Sequence, residues 1–352
     1  MDPKQLIEAL VDIIIKEGGS DLHISAGRFP SIRVATQLIT LVNQKKCTQE
    51  DLLGMLKSMV SQEKYDYFIK NFEVDFSYEH TDGTRLRGNA FYHKGAVGMA
   101  LRVIPKVKTL AELKLPEVLK AFARKKQGFF LVVGPVGQGK STTISAMVEF
   151  INTERSEHIM TIEDPIEYLF VEKNSIIDQR EVGIDTKDFQ NGLHSIFRED
   201  ANVIMIGEMR SAETISTAVT AAETGHLVLS TLHTNTAAQT IDRIIDSFPG
   251  SQQDQIRSQL AESLLGVFSQ RLIPKITGGL ALAYELLINN NAVSNLIREK
   301  RTHEIDVVIE TGSESGMMDM NRSLLDLVRA GEITMESAYT YSTNPKALER
   351  LM

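Results

Sequence analysis

The chain has 352 residues, of which 42% are hydrophobic, so we expect about two globular domains with substantial cores. Its net charge of −8 argues against a protein that coats DNA or RNA nonspecifically, and we expect no nucleic-acid partner. Cys47 is the only cysteine, which excludes an intramolecular disulfide or a cysteine zinc cluster and favours a reducing compartment. No signal-peptide pattern is present and no apolar run approaches the roughly 18 residues of a membrane span, so we expect no direct membrane insertion.

The first part of the chain predicts a small α+β domain over residues 1–105. Asp2-Pro3 is typical of a helix start, and the apolar face that follows consists of Leu6, Ile7, Leu10, Val11, Ile14 and Ile15. The segment Thr48 to Asp51 resembles a capping box and predicts a second helix. Strict alternation over 72–78, a turn signal at Asp82-Gly83 and apolar patterns around 85–103 predict three strands. The strand predicted directly after this turn carries Arg85 and Arg87 on one face.

The remainder predicts an α/β domain. Residues 106–109 are short, basic and preceded by a proline, which predicts a linker. Compact apolar runs at 129–133, 158–162, 203–206 and 227–231 alternate with helical stretches, a pattern typical of a mostly parallel sheet covered by helices. The sequence therefore predicts an α/β domain over 110–290 and a helical region over 291–352.

A phosphate-binding loop joins the first of these runs to the next helix. The pattern G-x-x-x-x-G-K-[ST] is met by Gly134, Pro135, Val136, Gly137, Gln138, Gly139, Lys140 and Ser141, and Thr142 opens the helix. Glycines let backbone N–H groups turn inward around a phosphate, and the helix start adds positive potential there. We expect Lys140 to contact the outer phosphates and the Ser141 hydroxyl to ligate Mg²⁺.

Two acidic segments follow predicted strands, where active sites of α/β sheets lie. Glu163, Asp164 and Glu167 form an acidic box, which is either a surface turn or a source of a catalytic carboxylate. Glu208 follows shortly after the apolar run at 203–206, as an acidic residue follows a Walker B strand. It is a candidate to support Mg²⁺ or activate the attacking water. Glu163 is the rival for the second role, and the sequence leaves the choice between the two open.

Histidines and arginines supply further candidates. His226 and His233 flank the run at 227–231 and are either structural donors or a polar network that senses a phosphate. Without a third ligand at matching spacing, we do not expect a metal site there. Arg85, Arg87 and Arg102 are either solvated surface cations or groups that reach a phosphate from a neighbouring domain or subunit.

Together these segments resemble the secretion ATPase superfamily, and within it the PilT-like retraction motors of type IV pili. The segment from Ser20 to Arg33 is similar to the N-terminal signature of that family. The phosphate loop, the acidic box and the Gly207-to-Arg210 segment match the family, and so do residues 220–246, which contain its histidine box at 224–226 and 231–234. The resemblance spans nearly the whole chain. Residues 292–299 resemble the retraction motif A-I-R-N-L-I-R-E at six of eight positions. Extension and type II secretion motors generally carry a four-cysteine zinc module, which a single cysteine cannot build.

The resemblance implies a RecA-like core, a PAS-like N-terminal domain and a homohexamer with ATP sites between subunits. It implies a cytoplasmic Mg²⁺-dependent ATPase that retracts a pilus and reaches the inner membrane through a platform protein. It also implies that Arg85, Arg87 and Arg102 sense the γ-phosphate. The chain departs from the family at Val136, Gln138, Ala201-Asn202, Ser211 and Ser294. An accessory motor, or a nucleotide-binding assembly module of a pilus or type II secretion system with weak hydrolysis, is therefore the alternative, and a nucleic-acid translocase is disfavoured by the charge.

Overall fold

The computed structural model describes residues 2–34 and 37–351. The chain divides into two compact units, one that ends at Lys106 and one that begins at Val107, and each is described by itself. The finer boundaries expected from the sequence, a linker at 106–109 and a separate region from 291, stay predictions.

The described residues of the first unit form a six-stranded antiparallel sheet with three helices. The helices are α1 (Pro3–Lys16), α2 (Gln49–Met59) and α3 (Gln62–Asn71). The strands are β1 (Asp21–Ser25), β2 (Ser31–Val34), β3 (Gln37–Thr40), β4 (Glu73–Glu79), β5 (Arg85–His93) and β6 (Ala96–Val103). Their spatial order is β3-β2-β1-β6-β5-β4, so the three strands expected from the sequence form one end of the sheet and three unexpected ones the other.

Local sequence signals explain the helices of this unit. Helix α1 begins at Pro3 and buries five apolar side chains of the predicted face, while Ile15 is only half-buried. Asp2 precedes the helix but makes no side-chain capping bond. The capping box of α2 is confirmed, because Thr48 Oγ1 accepts from Asp51 N (3.1 Å) and Asp51 Oδ2 accepts from Thr48 N (2.8 Å).

The second unit is built on a seven-stranded sheet within the described residues. Its strands are β7 (Gly128–Val133), β8 (His158–Glu163), β9 (Ile176–Glu181), β10 (Val203–Ile206), β11 (Leu227–Leu232), β12 (Leu264–Pro274) and β13 (Leu280–Ile288). The spatial order is β13-β12-β7-β11-β10-β8-β9, and every neighbouring pair is parallel except β12 with β13. The expected mostly parallel sheet is confirmed, although β9, β12 and β13 were not anticipated.

Helices pack on both faces of this sheet. They are α4 (Val118–Ala123), α5 (Lys140–Glu154), α6 (Phe189–Ile196), α7 (Ala212–Glu223), α8 (Ala237–Asp246) and α9 (Gly250–Ser263). On β7, Phe129 and Leu131 join one core while Phe130 and Val132 join another, so alternate residues of a fully buried strand serve opposite faces.

The expected helical end of the chain is confirmed. It comprises α10 (Asn291–Arg298), α11 (Ile305–Thr311), α12 (Met320–Arg329), α13 (Met335–Tyr341) and α14 (Pro345–Leu351), with 3₁₀ turns at Thr302–Glu304 and Ser313–Ser315. Among the helices within residues 2–34 and 37–351, none combines the length and the apolar character that a membrane crossing requires.

Candidate functional site

The phosphate loop lies between β7 and α5, at the carboxyl end of the sheet. Gly139 has φ +78° and precedes Lys140, the first residue of the helix. Gly134 has φ +149°, and a Cβ at this position would lie 2.7 Å from the carbonyl oxygen of Gln270. A side chain at either position would strain the backbone, so the loop depends on glycine to bring its N–H groups around one point.

Lys140 points back along this loop. Its Nζ donates to the carbonyl oxygens of Gly134 and Pro135, each at 2.9 Å, and lies 3.3 Å from His233 Nδ1. Burial lowers the pKa of the ammonium group, and the carboxylates of Glu208 and Glu167 partly oppose this effect. A buried cation held by carbonyl oxygens is suited to receive anionic phosphate oxygens.

A cavity of about 410 Å³ unites the residues expected to act on phosphate. It is lined by the loop from Val136 to Thr142, by the acidic box residues Glu163, Asp164, Pro165 and Glu167, and by Gly207, Glu208, Thr231 and His233. These groups come together because β7, β8, β10 and β11 are parallel neighbours whose carboxyl ends meet at one edge.

The acidic box contains one buried carboxyl. Asp164 and Glu167 are exposed, whereas Glu163 is only 5% exposed. Thr161 Oγ1 (2.7 Å) and Gln179 Nε2 (3.1 Å) both donate to Glu163 Oε1. Burial raises the pKa of Glu163 to about 7, although these hydrogen bonds act in the opposite direction. For Glu163, a surface turn is therefore the wrong interpretation.

Glu208 lies in a different environment, at the end of β10. Its carboxylate contacts the guanidinium of Arg210, and its Oε2 lies 3.6 Å from His233 Nε2. Burial, followed by the positive charge of Lys140, lowers the pKa of His233. His233 thus lies between Lys140 and Glu208 as a largely neutral imidazole at neutral pH.

The donor set is consistent with Mg²⁺. Within residues 2–34 and 37–351, no group of three or more His, Cys, Asp or Glu side chains forms an all-protein metal cage. Mg²⁺ is usually bound by one or two protein oxygens together with substrate phosphates and waters. Ser141 and Glu208, both on the cavity wall, provide such oxygens.

His226 is separated from these residues. It precedes β11, so the length of that strand lies between it and His233. Its Nδ1 is 3.0 Å from the carbonyl oxygen of Ala221, and its ring packs edge-on against Phe197. The two histidines lie at opposite ends of β11, so within this chain they do not form one network, and His226 makes the structural contact that was the other possibility.

The three candidate arginines belong to the first unit. Arg85 and Arg87 are two residues apart on β5 and so share a face, and Arg87 pairs in register with Arg102 of β6. Arg102 Nε donates to Asp21 Oδ1 at 2.8 Å, although the Arg102 side chain is 72% exposed. Their role at a phosphate stays a prediction.

The structure adds site residues that the sequence reasoning missed. Thr161 and Gln179 hold Glu163, and the Tyr168 hydroxyl lies 2.7 Å from Thr142 Oγ1. A further unexpected contact involves Gln138 of the predicted loop, whose Oε1 accepts from Leu272 N at 2.6 Å and so ties the phosphate loop to β12. Of the missed residues, only Thr161 had a sequence signal, because it lies two residues before Glu163 on a predicted strand.

A glycine loop between a parallel strand and a helix, with a buried lysine and two carboxyls around one cavity, defines a phosphate-loop nucleoside triphosphatase. The model of the type II/IV secretion system protein family matches residues 92–337. The chain belongs to this family and is an ATP-hydrolysing enzyme of the PilT-like group.

Relatives of this group match over nearly the full length. The chain is 43% identical over 333 residues to the type IV pilus retraction ATPase PilT of Pseudomonas aeruginosa, covering 94% of this chain and 96% of that protein. It is 44% identical over 321 residues to the twitching motility protein of Neisseria gonorrhoeae, covering 91% and 86%. The crystal structure of the pilus retraction motor PilT with bound ADP matches with a TM-score of 0.91 at 44% identity, covering 98% and 99%. The expected family, fold and ATPase activity are confirmed.

Proposed function

We propose that this ATPase is the motor that retracts a type IV pilus, using MgATP hydrolysis to power twitching motility. The observation that carries the proposal is the 43% identity to a pilus retraction ATPase over 94% of this chain. We further propose that it works in the cytoplasm as a homohexamer and reaches the inner membrane through the platform protein of the pilus machine.

In this proposal the phosphate loop binds and orients ATP. The loop amides and Lys140 hold the phosphates, and Ser141 ligates Mg²⁺ together with the water shell that Glu208 supports. Mg²⁺, when bound, neutralises the charge of the phosphate oxygens. His233, between Lys140 and Glu208, would change its contacts when either neighbour moves toward the nucleotide.

We propose Glu163 as the general base. A base must bind a proton weakly enough to be ionised at working pH and strongly enough to accept one from water, and a pKa of about 7 meets both needs. Glu163 lines the same cavity as Lys140 and is held by two hydrogen-bond donors. Glu208 already contacts Arg210 and faces His233, which supports the metal-side role for it.

Arg85, Arg87 and Arg102 are proposed to contact the γ-phosphate as charges supplied by the first unit in the ring. Three arginines on one face of two adjacent strands concentrate positive charge, which supports this role. An arginine that stabilises a transferring phosphoryl group contributes roughly 10³–10⁵ in rate.

The proposal is tested with Lys140→Ala and a matched exposed control, Lys126→Ala. Phosphate release, particle mass by light scattering and pilus retraction in complemented cells are measured for both variants. Because Lys140→Ala removes a preorganised charge at the transferring phosphoryl group, we expect it to abolish hydrolysis and retraction, while the control retains both. Normal hydrolysis by Lys140→Ala overturns the site. Little or no phosphate release by the wild type, together with no retraction in cells, favours the assembly-module alternative.

A further inference from the structure

Strand β9 carries no recognised motif, but it lies beside β8 and places polar side chains next to the carboxyl end of that strand. The parallel register pairs Thr161 with Gln179 and Glu163 with Glu181. Side chains two residues apart on a strand share a face, so all four lie on the same side of the sheet. Glu163 therefore has a polar neighbour on each strand, Thr161 on its own and Gln179 on the next.

The amide of Gln179 is fixed by three hydrogen bonds. Its Nε2 donates to Glu163 Oε1 at 3.1 Å and to the Tyr168 carbonyl oxygen at 2.8 Å. Its Oε1 accepts from the backbone N–H of Phe170 at 3.0 Å. If the amide of Gln179 were flipped, its Oε1 would lie against two acceptor oxygens and its Nε2 would lie against the N–H of Phe170. The network therefore permits only one orientation of this amide.

The same network extends to the phosphate loop. The loop after β8 carries Tyr168, whose backbone is held by Gln179 and whose hydroxyl lies 2.7 Å from Thr142 Oγ1 at the start of α5. Gln179 thus connects the carboxyl of Glu163 to the segment that packs beside Thr142. It is not among the residues that line the nucleotide cavity.

We propose that Gln179 is a positioning residue for hydrolysis, which orients Glu163 through its Nε2 and holds the loop from Asp164 to Phe170 against the start of α5. This inference rests on the proposed function, in which Glu163 is the base. A residue that touches the base but not the nucleotide acts on turnover and leaves nucleotide binding intact.

The charges around Glu163 set the expected pH effect. Glu167 raises its pKa through its negative charge, Glu181 is its partner in register, and Lys140, Glu208 and His233 line the cavity with it. The hydrogen bonds from Thr161 and Gln179 favour the ionised form and lower the pKa, in opposition to burial. Loss of the Gln179 donor must therefore raise the pKa of Glu163.

The test is the pH profile of kcat for ATP hydrolysis between about pH 5 and 9, measured for the full chain as wild type and as Gln179→Met. Because the base must be ionised, we expect the acidic limb of the profile to shift to higher pH by about one unit in Gln179→Met. The dissociation constant of ADP should not change. Asp178→Asn is the control, because Asp178 is on the same strand but the opposite face, paired with His158, and its limb should match the wild type.

If Gln179→Met does not fold, Gln179→Glu is the second variant, because it keeps an acceptor for Phe170 N and adds a negative charge beside Glu163. The acidic limb should then shift to higher pH by at least as much. An unmoved limb in a folded Gln179 variant, even with reduced kcat, overturns the positioning role. Failure of the underlying function has a different signature, because full activity in Glu163→Gln would remove Glu163 as the base, whatever Gln179→Met does.

Discussion

Replacement of Glu163 by Gln is expected to abolish hydrolysis and, above neutral pH, to stabilise the fold. Gln has nearly the shape of Glu, and its Oε1 can still accept from Thr161 and Gln179. What the variant loses is the ionisable proton. Because Glu163 is buried, its ionised form destabilises the folded second unit, and that destabilisation is absent from the variant.

The size of the effect follows from the pKa of the buried carboxyl. Its pKa rises from an ordinary value of 4.5 to about 7 on folding, a difference of 2.5 units. Below pH 4.5 the carboxyl is protonated in both states and costs nothing. Between pH 4.5 and 7 the unfolded state loses its proton first, so wild-type stability falls as the pH rises, and above pH 7 the loss is complete. At 1.36 kcal/mol per unit, the full difference is about 3 kcal/mol.

Thermal unfolding by circular dichroism at several pH values between about 5 and 8 measures this difference. We expect the melting temperatures of wild type and Glu163→Gln to be close at the acidic end and to separate as the pH rises. At pH 8 the variant should melt higher by roughly 6–12 °C, because 1 kcal/mol shifts the melting temperature of a unit of this size by roughly 2–4 °C. A constant difference across the range would refute the reasoning, because it would mean that Glu163 does not titrate differently in the folded and unfolded states.

Glu285 offers a matched comparison away from the nucleotide cavity. It is 5% exposed on β13, accepts from Ala237 N at 2.7 Å, and has a pKa that burial raises to about 7. Glu285→Gln should therefore show the same pH-dependent gain in melting temperature as Glu163→Gln. It should retain hydrolysis, since Glu285 does not line the cavity.

Two further substitutions test the arginines and the phosphate loop. Arg87→Ala should reduce ATP hydrolysis by the full chain while its ADP affinity is retained, as measured by phosphate release and calorimetry; loss of ADP affinity would count against a role confined to the γ-phosphate. Gln138→Ala should lower stability by about 1 kcal/mol and weaken ADP binding, because the N–H of Leu272 loses its acceptor. Lys126→Ala, at an exposed residue that does not line the cavity, is the control and should change neither quantity in the same melting and binding assays.

The central strands of the second unit could be predicted from the sequence because the local sequence signals agree with the tertiary structure there. The runs of β7, β8, β10 and β11 are buried strands whose apolar composition needs no partner to be recognised. The edge strand β9 has the sequence Ile-Ile-Asp-Gln-Arg-Glu, with no fully buried residue, and therefore lacks that signal. β12 follows α9 directly, so no turn residue marks where the helix ends and the strand begins.

The site was predictable to the extent that one segment of chain determines it. The phosphate loop carries its own strand, glycines and helix start, so Lys140 could be placed from sequence. The burial of Glu163 could not, because it depends on β9, which brings Gln179 from a distant segment. The sequence left the role of His226 open for the converse reason, since His226 and His233 are close in sequence but lie at opposite ends of β11.

Burial at this site serves chemistry at the expense of stability. Lys140 and Glu163 lie on two walls of one cavity, and burial shifts the pKa of each toward its neutral form. For a structural ion pair this would be a poor arrangement, since neither residue has the other as its hydrogen-bond partner. For hydrolysis it is useful, because a desolvated cation attracts phosphate oxygens strongly and a desolvated carboxyl has the basicity to take a proton from water. Lys140 and Glu163 therefore lower stability at a place where turnover is expected to need them, whereas Glu285 is buried away from the cavity. This is why Glu163→Gln should gain stability as it loses activity while Glu285→Gln gains stability alone.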